Sequence, residues 1–146
     1  MFAEYKSCGL LEKIIDRILD RDGRVILSRL RDEHYGLIER YSREYDVLVN
    51  RVGRIAVIRR KGYVVKETGG RVGVVAAGTA DIPLAEEARV IVEELGCRTT
   101  CVYDVGIACF LRTLDAVKKL VKEDVDVAIV IAGLEGALPS VIASFL

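Results

Sequence analysis

The chain of 146 residues has no net charge, since its 22 Lys and Arg are balanced by 22 Asp and Glu. That balance gives no bulk electrostatic reason to bind nucleic acid or a membrane surface. Long apolar runs are missing too, and none approaches the roughly 20 residues that a bilayer span requires. The N-terminus has no basic start followed by an apolar core, so no secretory leader is read there and a cytoplasmic location is expected. Histidine is nearly absent, His34 being the only one. It lies in a charged helical stretch with no partner that suggests catalysis. Several enzyme fingerprints are lacking: there is no Walker loop, no GxGxxG turn and no serine nucleophile elbow.

Cysteine is scarce, limited to Cys8, Cys97, Cys101 and Cys109. Without a leader, reduced thiols are the default. A zinc site needs a fourth ligand, and His34 is far away in sequence. Cys97 and Cys101 read as part of a strand and its preceding turn. Their even spacing puts both on one sheet face, where they act as small apolar side chains.

Apolar residues make up 51% of the chain, enough for a core and too many for disorder. The length fits one domain, or one domain with a small subdomain. Residues 1–70 hold 15 Lys and Arg against 11 Asp and Glu, and residues 71–146 hold 7 against 11. The opposite surpluses suit either two units that attract or ordinary surface variation.

Residues 1–68 read as a small α/β unit. Leu10, Leu11, Ile14, Ile15, Ile18 and Leu19 recur at helical spacing, and Gly23 ends that helix. Arg24–Leu27 reads as a strand, and Asp32 is placed to cap a helix running to about Tyr45. Asp46–Val49, Arg54–Ile58 and Tyr63–Lys66 read as short strands. Arg59-Arg60-Lys61 reads as a solvated turn, and Tyr35, Tyr41, Tyr45 and Tyr63 as core or interface. Thr68-Gly69-Gly70-Arg71 marks a hinge.

Residues 71–146 alternate regularly. Strands at Arg71–Ala76, Arg98–Tyr103 and Val125–Ala132 are each followed by a loop and a helix. The helices span Ile82–Leu95, about Ala108–Val121, and a stretch beginning near Ala137. The uninterrupted apolar run Val127–Ile131 suits a strand covered on both faces. This alternation predicts an α/β fold with a parallel, doubly wound sheet. Only three of its usual five or six strands are countable, so the sheet is expected to be incomplete at the C-terminus. Strand order stays open.

Open parallel sheets bind ligands beyond the carboxyl ends of their strands. Three loops lie at that edge: Gly78-Thr79-Ala80-Asp81, Tyr103-Asp104-Val105-Gly106, and Gly133 to Ser140. Gly78 lets backbone approach a ligand, and Pro83 suits the first turn of the next helix. Thr79 is suited to donating to a phosphate. Asp81 and Asp104 are suited to ribose hydroxyls or magnesium, and equally to capping their helices. Glu135 is suited to accepting from a substrate or moving a proton.

The loop wording Ala77-Gly78-Thr79-Ala80-Asp81-Ile82-Pro83 with Ala85-Glu86-Glu87-Ala88, then Tyr103-Asp104-Val105-Gly106, then Ala132-Gly133-Leu134-Glu135-Gly136-Ala137-Leu138-Pro139-Ser140-Val141, resembles the LarB family in order and spacing. LarB is the pyridinium-3,5-biscarboxylate mononucleotide synthase of nickel-pincer cofactor biosynthesis. It is related to PurE, the aminoimidazole ribonucleotide carboxylase or mutase. The resemblance covers residues 71–146 and extends loosely upstream. It implies a flavodoxin-like, PurE-like three-layer domain at 71–146 behind the subdomain at 1–68.

The activity implied is carboxylation of nicotinic acid adenine dinucleotide by carbon dioxide or bicarbonate, then release of AMP. Magnesium assists the second step, no tightly bound organic cofactor is implied, and the chain is expected to form a homo-oligomer. By the same resemblance Gly78, Thr79, Ala80, Asp81, Tyr103, Gly106, Gly133, Gly136, Pro139 and Ser140 bind substrate or phosphate. Asp104 and Glu135 are the catalytic carboxylates. Glu135 stands where PurE enzymes carry histidine, which favours LarB. The family turn reads Gly-Thr-Ser-Asp, so Ala80 removes one hydroxyl. The family also continues beyond the third loop into strands that carry the cysteine thought to add to the pyridinium ring. The chain is therefore expected to be C-terminally short of the full family domain, with none of its four cysteines matching that nucleophile. Two alternatives stay beside this reading: a PurE-like carboxylase, and a nucleotide-binding or assembly module without catalysis.

Overall fold

Leu11, Ile15 and Leu19 recur at four-residue spacing and form the buried stripe of helix α1 (Cys8–Asp22). The computed structural model describes all residues from Met1 to Leu146, and they divide into two units, Met1–Val64 and Val65–Leu146. The division falls upstream of the Gly69-Gly70 pair. The Thr68 amide donates to the Gly96 carbonyl at 2.9 Å, within the second unit.

In the first unit, the Ser7 hydroxyl caps α1 by accepting from the Leu10 amide. Gly23 closes the helix in the left-handed conformation, at φ 70°, and donates to the Leu19 carbonyl. Strand β1 (Arg24–Leu27), helix α2 (Asp32–Tyr41), strand β2 (Tyr45–Asn50) and strand β3 (Ile55–Arg60) follow. The three strands form an antiparallel sheet in the order β1-β3-β2. Val25, Leu27, Ala56 and Ile58 join Leu11, Ile15, Leu19, Leu37 and Ile38 in one core.

Three expectations shift here. Helix α2 begins one residue after its cap, Arg31. The Arg31 amide donates to Nδ1 of His34, a side chain that is 0% exposed and whose Nε2 reaches the Lys6 carbonyl at 2.9 Å. The lone histidine is thus a satisfied structural group. Helix α2 also ends at Tyr41 instead of Tyr45. The Ser42 hydroxyl donates back to the Glu39 carbonyl there, and Tyr45 already belongs to β2. Tyr63–Lys66 forms no strand: β3 already has a neighbour on each side, and the Tyr63 ring lies under the Arg24 guanidinium at 5.3 Å.

The second unit consists of β4 (Arg71–Ala76), α3 (Ile82–Glu94), β5 (Arg98–Val102), α4 (Phe110–Lys122), β6 (Val127–Ile131) and α5 (Ala137–Ala143). Its three strands are parallel, in the order β5-β4-β6. The chain steps from β4 to β5 on one side, then crosses back over β4 to reach β6. Right-handed crossovers in opposite directions place their helices on opposite faces of the sheet. The core agrees: Val74 and Ala76 meet Ala85 of α3, whereas Val75 meets Ala116, Val117 and Leu120 of α4 and Leu138 and Ile142 of α5.

Strand β6 lies at the edge of the sheet, and its apolar run has cover on both faces: Val130 packs with the α4 and α5 side and Ile131 with the α3 side, while Val127 at its start is 59% exposed. One expectation changes in this unit. Cys97 precedes β5 and does not share a face with Cys101. Its Sγ lies 3.2 Å from Oγ1 of Thr68, while Cys101 packs beside Val74 and Ala76. All four cysteines are free and half-buried. No helix is long and apolar enough to cross a membrane.

Candidate functional site

The order β5-β4-β6 creates a switch point between β4 and β6, because the connections leaving these two strands diverge. In such sheets a crevice opens beyond the carboxyl ends at that point. Beyond β4, the Ala77 amide donates to the Ile131 carbonyl at 2.9 Å and prolongs the pairing with β6 by one residue. Gly78 then opens a 3-10 turn, Thr79–Asp81, that runs directly into α3 with Pro83 in its first turn.

The Asp81 carboxylate ties this loop to the third. Its Oδ2 accepts the Gly78 amide at 3.0 Å and its Oδ1 accepts the Gly133 amide at 2.9 Å. A Cβ on Gly133 would stand 2.9 Å from that same Oδ1, so a side chain there would displace the carboxylate. The second loop is held to the first in a different way. The amides of Val105 and Gly106 donate to the carbonyls of Ala76 and Ala77, at 3.2 and 2.8 Å. The Thr113 hydroxyl, 0% exposed, fixes the Val105 carbonyl at 2.9 Å. A Cβ on Gly106 would sit 2.9 Å from the Ala77 carbonyl oxygen.

These loops enclose a cleft of about 1000 Å³. Of the residues singled out by sequence, Gly78, Thr79, Ala80, Asp81, Gly106, Gly133 and Glu135 line it together. Ile107 and Ala108, which lie outside the three loops read from sequence, also line it, as does Leu134 of the third loop. The signal for the first two was the glycine before them. Gly106 starts a 3-10 turn, Ile107–Cys109, that turns its first amides towards the same edge. Leu134 is 97% exposed.

The remaining candidates lie elsewhere. The Tyr103 hydroxyl donates to Oε1 of Glu86 on α3 at 2.6 Å. Glu86 pairs with Arg89, Arg89 with Glu93, and Thr99 donates to Glu93, so the tyrosine ends a chain of polar contacts on the α3 face. Burial, with hydrogen bonds to Cys101 and Glu86, pushes the Tyr103 hydroxyl well above the usual tyrosine range. Asp104 adopts φ 60° and accepts from Nη1 of Arg112 at 2.5 Å. The Arg112 guanidinium also favours the Cys109 thiolate and holds the thiol below the usual cysteine range, against burial and the Asp104 charge. Gly136 caps α5 at φ 68°, and Pro139 and Ser140 lie within that helix. Pro139 borders a separate groove along β6 with Ala128, Val130 and Ile142.

The chemistry of the cleft follows from this inventory. No Lys or Arg lines it, and its two carboxylates are Asp81 and Glu135. An anion would be met by the first amides of two helical turns, at Thr79 and Ala80 and at Ile107 and Ala108, which have no helical acceptor. Both oxygens of Asp81 are already occupied by amides, whereas Glu135 stands in the exposed loop beside Leu134. No group of three His, Cys, Asp or Glu side chains converges as a metal site.

No protein-family model matches the chain. A protein of Methanocaldococcus jannaschii described as uncharacterized is 40% identical over 152 residues, covering 99% of this chain and 57% of that protein. The chain therefore spans little more than half the length of that relative.

Proposed function

We propose that Val65–Leu146 is the nucleotide-binding part of a LarB-like carboxylase with a flavodoxin-like, PurE-like sheet. In this reading the whole enzyme acts on nicotinic acid adenine dinucleotide with carbon dioxide or bicarbonate. The observation that carries the reading is the Asp81 tie between Gly78 and Gly133, which joins two of the family-like loops across the switch point of the sheet. The loop wording supports the LarB assignment, and Glu135 in place of a histidine supports it over PurE.

Within this reading the chain's residues divide their tasks. The amides of Thr79 and Ala80 face the diphosphate or a ribose phosphate, and the Thr79 hydroxyl adds a donor. Asp81 positions the loops instead of touching the ligand. Ala77, Ile107, Ala108, Ala132 and Leu134 offer apolar surface to a ring. Glu135 is the carboxylate free to accept a proton or a hydroxyl hydrogen. The donor set suits magnesium only as a companion of the ligand: a hard cation takes one or two carboxylates plus substrate phosphates, and Glu135 would be the protein's share. When bound, magnesium supplies charge neutralisation of the diphosphate. With two carboxylates and no cationic side chain in the cleft, dinucleotide binding should depend strongly on it.

One arrangement supports a second reading, a nucleotide-binding or assembly module without catalysis. Tyr103 and Asp104, catalytic or binding residues by resemblance, are engaged with Glu86 and Arg112 instead of lining the cleft. A homo-oligomer is what the resemblance implies in either case.

Calorimetric titration of the chain with nicotinic acid adenine dinucleotide, with and without magnesium, tests the proposal. Saturable binding strengthened by magnesium is expected. Preference for aminoimidazole ribonucleotide would move the reading to PurE, and no binding of either by the folded chain would overturn it.

A further inference from the structure

We propose that the Met1–Val64 unit carries an anion site of its own, formed by Arg31, Arg51 and Arg54 around Tyr35, that takes a small phosphate ester or diphosphate. These residues, with Leu30 and Asp32, line a cavity of about 330 Å³. That volume lies at the low end of the range of about 300–1,000 Å³ for small-ligand sites. The wall comes from two places far apart in sequence: the start of α2, and the turn Arg51–Arg54 that joins β2 to β3.

The state of each guanidinium carries the argument. Arg51 stacks over the Tyr35 ring at 4.3 Å and makes no ion pair. A stacked guanidinium is held flat while its N–H edge stays open, the geometry that meets two oxygens of a phosphate or carboxylate at once. Arg54 is anchored by its inner nitrogen, with Nε donating to the Leu30 carbonyl at 2.8 Å. Its nearest acid, Glu4, is 3.8 Å from Nη2, beyond hydrogen-bond length. Arg31 is paired with Glu33. Counting neighbours, Arg29, Arg31, Arg51 and Arg54 face Glu4, Asp32 and Glu33. The surplus is one positive charge, and the guanidinium without a carboxylate partner is Arg51.

The turn holds Arg54 in place at a cost to the backbone. The Asn50 side-chain oxygen accepts the Gly53 amide at 2.8 Å, and Arg54 follows at φ 50°. Glycine adopts that conformation freely, whereas a residue with a Cβ is strained there. Here the backbone bonds of Arg54 to Arg51 and Leu30 hold it in that conformation, a kind of strain that clusters at ligand sites. This site is chemically unlike the cleft of the second unit, which has carboxylates and no cationic side chain.

The test is an NMR titration of the isotope-labelled full chain with inorganic pyrophosphate at constant ionic strength, following backbone amides and arginine Nε–Hε groups. Saturable shifts at Tyr35, Arg51 and Arg54 are expected. Arg51→Gln and Arg54→Gly should each weaken binding by about tenfold or more. Arg54→Gly relieves the strained φ but removes the Nε contact to Leu30, so Arg51→Gln, which keeps that contact, and an unchanged amide spectrum separate loss of binding from misfolding. Absence of saturable shifts at these residues would overturn the proposal, as would unchanged affinity in both variants. Tighter binding of a single-stranded RNA at the same residues would also overturn it, by showing a macromolecular ligand instead of a small one. Shifts at Gly78 and Gly133 report the cleft separately, so failure of one site is distinguishable from failure of the other.

Discussion

Asp81 and Gly133, 52 positions apart in sequence, are joined by a 2.9 Å hydrogen bond from the Gly133 amide to the Asp81 carboxylate. The other oxygen of that carboxylate takes the Gly78 amide, so one side chain sets the distance between two walls of the cleft. Replacing Asp81 with Ala would leave both amides without their acceptor. Hydrogen bonds to a charged group contribute about 1.5–3 kcal/mol each, and a loss of about 2–4 kcal/mol is expected where water replaces part of the pair. Denaturant unfolding measures that loss. Hydrogen exchange at Gly133 should accelerate far more in Asp81→Ala than in Asp81→Asn, which keeps one acceptor oxygen.

Gly106 has an ordinary φ of −61°, so alanine there meets no backbone penalty. Its Cβ would instead press on the Ala77 carbonyl oxygen at 2.9 Å. Gly106→Ala should cost about 1–3 kcal/mol through overpacking and widen the gap between the first and second loops. The expected readout is a lowered Tm together with weakened binding of nicotinic acid adenine dinucleotide.

The Cys109 thiol ionises at lower pH than an ordinary cysteine because the neighbouring Arg112 guanidinium favours the thiolate. Alkylation by iodoacetamide should therefore be fastest at Cys109 among the four cysteines, with its pH–rate curve displaced to lower pH. Arg112→Ala should move the curve back up. The sign for stability follows: a group whose folded pKa is lowered stabilises the fold above its unfolded pKa. That contribution disappears as pH falls through the folded pKa. Mass spectrometry of the alkylated chain, site by site, checks the order of reactivity.

His34 is fully buried and uses both ring nitrogens, at Arg31 and Lys6. His34→Ala removes the acceptor for the Arg31 amide and opens a cavity in the first unit. A cost of about 2–4 kcal/mol is expected by denaturant unfolding. The second unit's cleft should be unaffected, and equal affinity for the dinucleotide in variant and wild type would show that.

Much of the second unit was legible because its signals are local. Apolar runs, glycines after strands, and Gly96 past a helix end are each read within a few residues. Asp81 shows what local reading misses. As a lone acid before a helix it reads equally as a cap or a ligand, and only the third loop, brought alongside by β6, shows what its carboxylate holds. Tyr103 shows another limit. It alternates with Val102 and shares a face with Cys101, so its direction depends on which helix covers that face, and that depends on the strand order. Across the boundary of the two units, the short stretch Tyr63–Lys66 reads as a strand. Pairing fails there because β3 already has β1 and β2 as neighbours, which no short stretch of sequence reveals.

The strand order β5-β4-β6 also sets when the cleft comes into being. Its first and third walls stand on strands adjacent in space, yet a whole βα unit separates them along the chain. A nascent polypeptide that has emerged only as far as Lys122 already contains Asp81 and the first two loops, but not the amide that its carboxylate must hold. The cleft's Asp81–Gly133 tie is thus absent from every shorter intermediate and forms in the step that adds β6. Any ligand of the cleft would therefore favour the docking of β6 over the steps that precede it.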